Sequence, residues 1–312
     1  MNPLPTQVNP IACVTGASGL VGQRIVRRLK AGGYHVRALS RSWYNEDPDI
    51  ELFQGGLEDE VTLASFLRGA QFLFHCAAEL HDASKMTTVN VDGTQRLVLL
   101  AGKSKIQYLC HVSSAGVVGR TRVKWVDETS ACAPQNPYEI SKRSAEKVVQ
   151  KGVPGCRVVI LRPTNVVADV QPGELEMLRQ STLRSRLKLF VTGGECAHIV
   201  HAENVAAAAL HFIDRAIDQP ECYFVSADDE PAIAFSDLYL LYRQLDNRDS
   251  RAGIAKPRHL PIFMPYLLRK LISGNGNMGD VRYTSKKLFS TGFQYPLSIP
   301  DTLRQIFHFD KC

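Results

Sequence analysis

"CVTGASGLVGQRI", residues 13–25, sets three glycines (Gly16, Gly19 and Gly22) between an apolar run (Ile11, Ala12, Cys13, Val14) and a helical pattern of Leu20, Val21, Ile25, Val26 and Leu29. The glycines therefore stand where a strand passes into a helix. Glycine permits the tight turn and the close backbone approach needed there. The helix N-terminus presents unpaired N–H groups and a positive dipole, so the turn suits an anion such as a dinucleotide pyrophosphate. Gly16, Ser18, Gly19, Leu20, Val21 and Gly22 are accordingly the candidate cofactor-binding residues of this turn.

The rest of the chain supplies the setting such a turn requires. Apolar strand-like runs near 11–15, 35–39, 71–75, 107–113 and 157–161 alternate with helical patterns near 20–31, 60–68, 86–103 and 137–150. Alternation of this kind implies a parallel sheet covered on both faces, a Rossmann-type doubly wound α/β fold. After Pro163 the texture changes to a basic, Leu-rich segment (175–189), a Gly193-Gly194 turn, an Ala-rich helical stretch (203–213) and a Pro-punctuated tail. We expect residues 1–165 to form mainly the nucleotide-binding core, and 166–312 a small C-terminal substrate-binding lobe interleaved with the last core elements. No internal repeat or low-complexity segment interrupts this plan.

Composition removes several other classes. A chain of 312 residues with formal charge +6 is mildly basic, but its Lys and Arg are spread along the sequence and no nucleic-acid motif accompanies them. No apolar run approaches the roughly 18 residues of a membrane span. The start, 1–10, lacks a basic region followed by an apolar stretch, so we expect a cytoplasmic protein without stable membrane insertion. Eight cysteines (13, 76, 110, 132, 156, 196, 222 and 312) show no Cys-x-x-Cys spacing and read as reduced, mostly buried thiols. No His, Cys, Asp or Glu set has metal-ligand spacing, so no metal is expected.

Two further stretches refine the expectation. In "YHVRALSRS" (34–42) the second strand ends at Ser40 and Arg41, beside the place of the adenosine ribose. An acidic residue there would accept from the 2′-hydroxyl, whereas a guanidinium suits a 2′-phosphate, so Arg41 favours NADP(H) over NAD(H), with Arg37 as the alternative cation. In "NPYEISKRSAEKVV" (136–149) Tyr138 and Lys142 are four apart on a helical pattern and share one face. A nearby ammonium favours a phenolate, and so would bring tyrosine from about pH 10 toward the working range of an acid–base catalyst.

Taken together, these motifs resemble the extended short-chain dehydrogenase/reductase superfamily, in order along most of the chain: "TGASGLVG" (15–22), "FHCAAE" (74–79), "VNVDGT" (89–94), "HVSSAGVVG" (111–119), "YEISK" (138–142), "LRPTNVV" (161–167) and "HIVHAENVAAA" (198–208). The resemblance implies a nicotinamide-dinucleotide oxidoreductase with a Ser-Tyr-Lys catalytic set. Ser114, five residues before Gly119 and 24 before Tyr138, would hold the reacting oxygen, with Ser113 as the neighbouring alternative. Tyr138 would exchange the hydroxyl proton, and Lys142 would tune Tyr138 and hold the ribose. It further implies cofactor contacts at Leu57, Ala77, Ala78, Asn90, Pro163 and Thr164, and a homodimer. Asn90 alone would read as a helix cap. His201 and Asn204 look structural within the same pattern.

Departures from the pattern narrow the reaction. Ser114 is followed by Ala115 and Gly116 rather than the Asp-Glu pair of the dehydratases, so dehydration is not expected. The adenine-contacting aspartate of the usual G-D-L is absent from Gly55-Gly56-Leu57, which leaves Asp59 or backbone as candidates. Asn165 matches the asparagine that contacts the diphosphate of a nucleotide sugar, but Ala197 stands where such enzymes often carry arginine. Arg179, Arg184, Arg186 and Lys188 either supply that charge or form a solvated basic face. The leading expectation is an NADP(H)-linked reductase of a nucleotide-activated 4-keto sugar. Its alternatives are a 4-epimerase retaining NAD, or an enzyme like 3β-hydroxysteroid dehydrogenase or dihydroflavonol reductase acting on an apolar ring. The apolar stretch 259–272 with its basic end either packs on the lobe, lines an apolar pocket or touches a membrane surface.

Overall fold

The computed structural model describes residues 9–42, 47–246, 255–273 and 277–308; Cys312 and most of the 1–10 segment discussed above lie outside them. Among the described residues the strands are β1 (Ile11–Thr15), β2 (His35–Ser40), β3 (Ile50–Gln54), β4 (Phe72–His75), β5 (Tyr108–Val112) and β6 (Trp125–Val126). They continue with β7 (Arg157–Pro163), β8 (Asn165–Val167), β9 (Ile199–His201), β10 (Glu221–Val225) and β11 (Arg282–Tyr283). Seven of them form one sheet in the order β10-β7-β5-β4-β1-β2-β3, with β1, β2, β3, β4, β5 and β7 joined by parallel pairings. This is the doubly wound α/β architecture expected from the alternation.

Two compact units divide the chain. The first comprises Met1–Ser114, Asn136–Leu161 and Ala206–Cys222; the second comprises Ala115–Gln135, Arg162–Val205 and Tyr223–Cys312.

In the first unit β1, β4 and β5 are buried almost throughout, because a parallel sheet covered on both faces has no solvent side. Edge strand β3 instead leaves Glu51, Leu52 and Gln54 exposed. The covering helices are α1 (Leu20–Ala31), α2 (Glu60–Leu67), the short α3 (Ala83–Met86), α4 (Gly93–Lys103) and α5 (Pro137–Val149). The helical pattern at 86–103 is not one regular helix: a π-helical stretch, Thr87–Asp92, precedes α4. Leu63, Phe66, Leu67, Leu97, Leu73 and Ile160 are among the core residues that join helices to sheet. Strand order reverses between β1 and β4, and a crevice at the C-terminal ends of the strands at such a point is where α/β sheets bind ligands.

The second unit has its own core, in which Leu175, Leu178, Ile199, Ile233, Leu238 and Leu303 pack together. Its helices include α6 (Leu183–Thr192), α8 (Phe235–Leu245), α9 (Phe263–Ser273), α10 (Lys286–Ser290) and α11 (Ile299–Phe307), while α7 (Ala202–His211) runs from the second unit into the first. Two small parallel pairs, β8 with β9 and β11 with β6, complete it. Asn204 holds the backbone of Leu297 in both directions (2.8 and 3.0 Å), and His201 Nδ1 accepts from Glu203 N–H (3.1 Å), the structural roles expected of that pair. Among the described residues no helix is long and apolar enough to cross a membrane, and the seven described cysteines are free thiols.

Candidate active site

The first unit builds its crevice from the turn that opened the sequence. Gly16 adopts φ +64°, and a Cβ there would lie 2.6 Å from the Ala77 nitrogen, so the turn after β1 can pass the chain leaving β4 only as glycine. A Cβ on Gly22 would lie 2.2 Å from the Gly16 carbonyl oxygen, so α1 seats on the turn only with glycine there. Gly19 differs: its Cβ would meet only that same oxygen, at 3.3 Å. The protein's own packing demands glycine less at 19 than at 16 or 22, since a Cβ there meets one backbone oxygen tightly rather than overlapping it. Gly19 is also the N-cap of α1, makes no side-chain cap, and no acidic residue lies in the first turn, so the N–H groups of the first turn are available to an anion. Replacing Gly22 by Ala is expected to cost about 3 kcal/mol through overpacking. Gly19→Ala is expected to lower Tm much less than Gly22→Ala while weakening dinucleotide binding, and thermal melts with a dinucleotide titration compare the two.

A cleft of about 220 Å³ opens on this turn. Gly16, Ser18 and Gly19 line one part of it, Ser40, Arg41 and Leu57 another, and Ala77 and Ala78 a third. Arg41 is thus the strand-end cation that faces the cleft. Arg37 is committed elsewhere, to Glu51 (2.8 Å) and to the carbonyls of Phe66 and Arg68 (3.1 and 2.7 Å). Asp59 is likewise spent: it caps α2 by accepting from Thr62 N–H and Oγ1–H (3.0 and 2.6 Å). Glu58, which sequence reasoning passed over, lines the cleft instead, and its carboxylate folds back until a Cβ on Gly56 would lie 2.2 Å from one of its oxygens. The only sequence signal was an acidic residue two positions after the glycine that replaces the usual aspartate.

On α5, Asn136 caps the helix by accepting from Glu139 N–H (2.9 Å) and Pro137 begins it, which fixes the first-turn position of Tyr138. The phenol is hydrogen-bonded to the Ser114 hydroxyl, and burial holds its pKa above the ordinary tyrosine value while that hydrogen bond acts the other way. Between the two serines, Ser114 is therefore the one placed on Tyr138; Ser113 Oγ is buried without a protein partner among the described residues.

Lys142 is almost completely buried one turn on, and its Nζ donates to the Val112 carbonyl at 2.7 Å. Burial pushes its pKa down to about 8 against the opposing pull of Glu146 and Cys76. The expected lowering of the phenol by this ammonium is not what the geometry gives: the ammonium is turned to a backbone carbonyl, and desolvation dominates Tyr138.

Asn90 lies in the π-helical stretch and is not a cap. Its Oδ1 accepts from Glu79 N–H (2.7 Å), and its Nδ2 donates to the Glu79 carbonyl (3.0 Å) and Ser141 Oγ (2.9 Å). It ties the loop after β4 to α5, and π-helical turns often mark functional sites.

Pro163, Thr164 and Asn165 belong to the second unit. There Thr164 N–H donates to the Val225 carbonyl (3.2 Å), and the exposed Asn165 donates through Nδ2 to the Ala197 carbonyl (3.2 Å). Lys188 and Arg179 pair with Glu174 and Glu176, whereas Arg184 and Arg186 face solvent. The second unit also gathers Cys196, His198 and Asp228, whose ligand atoms lie within 4.8 Å of one another, with His198 Nδ1 on Asp228 Oδ2 at 2.6 Å. Sequence spacing did not reveal that cluster, because 30 residues separate His198 from Asp228.

A glycine turn at the reversal point of a parallel sheet, with a Ser-Tyr pair and a buried lysine on the same unit, defines a nicotinamide-dinucleotide enzyme, an oxidoreductase or epimerase. The model of the NAD dependent epimerase/dehydratase family matches residues 12–226, and the chain belongs to that family. Among curated relatives, it is 30% identical over 229 residues to the sterol demethylase protein B of Methylococcus capsulatus, covering 69% of each chain. It is 29% identical over 245 residues to a 3 beta-hydroxysteroid dehydrogenase/Delta 5-->4-isomerase of Mycobacterium tuberculosis, covering 71% of this chain and 66% of that one. Among solved structures, MoeE5 in complex with UDP-glucose and NAD superposes with a TM-score of 0.72 at 20% identity, over 96% of this chain and 98% of that one. The Bordetella bronchiseptica enzyme WbmG in complex with NAD does so with a TM-score of 0.75 at 16% identity, over 98% and 95%.

Proposed function

We propose that this chain is an NADP(H)-linked oxidoreductase that interconverts a hydroxyl and a ketone on a ring carbon of an apolar substrate. The observation that carries the substrate class is the identity of the curated relatives, which include a steroid dehydrogenase and a sterol demethylase protein at 29–30%. Ala197, where the resemblance calls for a diphosphate-binding arginine, supports it, being buried and small. The nucleotide-sugar reading is favoured instead by the exposed Asn165 and by the UDP-glucose bound to MoeE5.

The residues present suit the cofactor. The uncapped start of α1 would take the pyrophosphate, Arg41 a 2′-phosphate, and the Glu58 carboxylate the adenine amine. When bound, the dinucleotide supplies or accepts the hydride. In reduction, Tyr138 Oη donates its proton to the carbonyl oxygen as negative charge develops there, and Ser114 Oγ–H steadies that oxygen. In oxidation the proton returns to Tyr138. Lys142, which burial lowers to about 8 and which therefore stays mainly protonated at pH 7, would hold a ribose hydroxyl.

Replacing Arg41 by Ala is expected to raise the Kd for NADPH by about tenfold to a hundredfold, the worth of charge-assisted hydrogen bonds to a phosphate, and to leave NADH within about twofold. Nicotinamide fluorescence titrations measure both, and equal effects would refute the 2′-phosphate contact. Substrate class is decided by offering a 3β-hydroxysteroid with NADP and UDP-glucose to the same preparation. Turnover of the sugar alone would overturn the apolar-ring assignment.

A further inference from the structure

Helix α9 of the second unit carries an apolar face that is exposed. Arg269 is partly exposed and its guanidinium grips the nearly buried Glu195 with both nitrogens (3.0 and 2.6 Å), while Pro265 is buried and Tyr266 half-buried. Phe263, Met264, Leu267, Leu268 and Leu271 recur at helical spacing on the opposite side and are 43–85% exposed. The hydrophobic effect acting within this unit alone would favour burying that face.

A second helix of the same unit, α6, also exposes an apolar stripe. Leu260 N–H donates to the Phe190 carbonyl (2.9 Å), which sets the approach to α9 against the end of α6. Along α6, Leu183, Leu187 and Phe190 follow one another at i, i+4 and i+7 and are 44–82% exposed. Apolar side chains gathered in this way mark an interaction surface.

Charge identifies the partner. Segments 183–192 and 255–273 contain no Asp or Glu, and Arg184, Arg186, Arg258 and Lys270 are exposed with no acidic partner within 4 Å among the described residues. Lys188 and Lys256 of these segments are paired with Glu174 and Asp237, but those four cations remain beside outward apolar faces, which fits the boundary of an anionic bilayer, where side chains of this size enter between headgroups and cations meet lipid phosphates. We propose that α6 and α9 dock this enzyme peripherally on an anionic phospholipid surface. No helix needs to span the bilayer for this. The proposal is independent of the substrate assignment, although a bilayer is where an apolar ring substrate would be collected.

The test is flotation of the full chain with vesicles of phosphatidylcholine alone and of phosphatidylcholine mixed with phosphatidylglycerol. The protein should float with the mixed vesicles and stay at the bottom with the neutral ones. High salt, or Arg184→Ser with Arg186→Ser, should lower partitioning about fivefold for each cation removed. Leu267→Asp with Leu271→Asp should abolish flotation without lowering Tm or turnover of a water-soluble substrate, because both side chains already face solvent. Equal flotation of that variant, or equal binding to both vesicle types, would overturn the proposal. So would a dimer in sedimentation velocity that the same variant dissociates while the wild type ignores vesicles; that result would assign the face to a second copy of the chain.

Discussion

Tyr138→Phe is expected to lower turnover by about a hundredfold to ten-thousandfold, the worth of a positioned general acid–base group, while the Kd for the dinucleotide changes little. The argument rests on what the substitution removes. The ring of Tyr138 stays packed in the first turn of α5, and the oxygen it loses is hydrogen-bonded to Ser114. None of the residues that line the cleft is disturbed, so a cofactor titration should superpose on the wild type. Ser114→Ala should give a smaller loss, since a second group that steadies the oxygen contributes less than the proton donor itself. Measured kcat and dinucleotide Kd for both variants check this. Wild-type turnover in Tyr138→Phe would remove Tyr138 from the mechanism, and a parallel loss of cofactor affinity would make its role structural.

Much of the fold was legible because parallel strands buried on both faces leave apolar runs. Strands β1, β2, β4, β5 and β7 all fall where those runs stood. Strand β3 escaped because it is an edge strand whose outer residues, Glu51 and Gln54, are polar, and its pairing with β2 is set by register rather than by its own composition. The glycine turn was readable down to single positions, since Gly16 and Gly22 are forced by backbone contacts that any such turn must make. Glu58 and the divided commitments of Arg37 and Arg41 were not readable, because which charged side chain points into a cleft depends on partners far away in sequence. The same holds for Lys142: helical spacing puts it on the face of Tyr138, but the carbonyl of Val112, on another element, decides where its ammonium points.

Acidification should destabilise the protein well above the carboxylate range, because two histidines are locked neutral inside the sheet. His75 on β4 lies between Thr15 Oγ1 (2.8 Å) and Thr94 Oγ1 (2.9 Å). The Thr94 hydroxyl donates to the Asn90 carbonyl (2.6 Å), so it accepts from His75 Nε2–H, and Nδ1 is left as the acceptor of the Thr15 hydroxyl. A second proton on Nδ1 would face that donor. Burial, and then the Lys142 ammonium, push His75 from 6.5 down to about 3. His111, its ring 5.0 Å from that of His75, is held well below 6.5 by burial, then Lys142, then His75.

For a base whose folded pKa lies below its unfolded value, stability is full above the unfolded pKa and is lost as pH falls toward the folded one. The window here opens at pH 6.5. Between that point and pH 5 each ring that stays neutral costs about 2 kcal/mol, and the pair about 4, a large part of an ordinary domain's stability. Carboxylates such as Asp82, lowered to about 2, act in a separate and more acidic window. Urea midpoints at pH 7 and pH 5 measure the loss. His111→Leu isolates one ring, since neither of its nitrogens has a protein partner among the described residues. That variant should match or exceed wild-type stability at pH 7 and keep only about half of the acid sensitivity. If it loses as much as the wild type on acidification, His111 is not a buried neutral imidazole, and the sensitivity belongs to other groups.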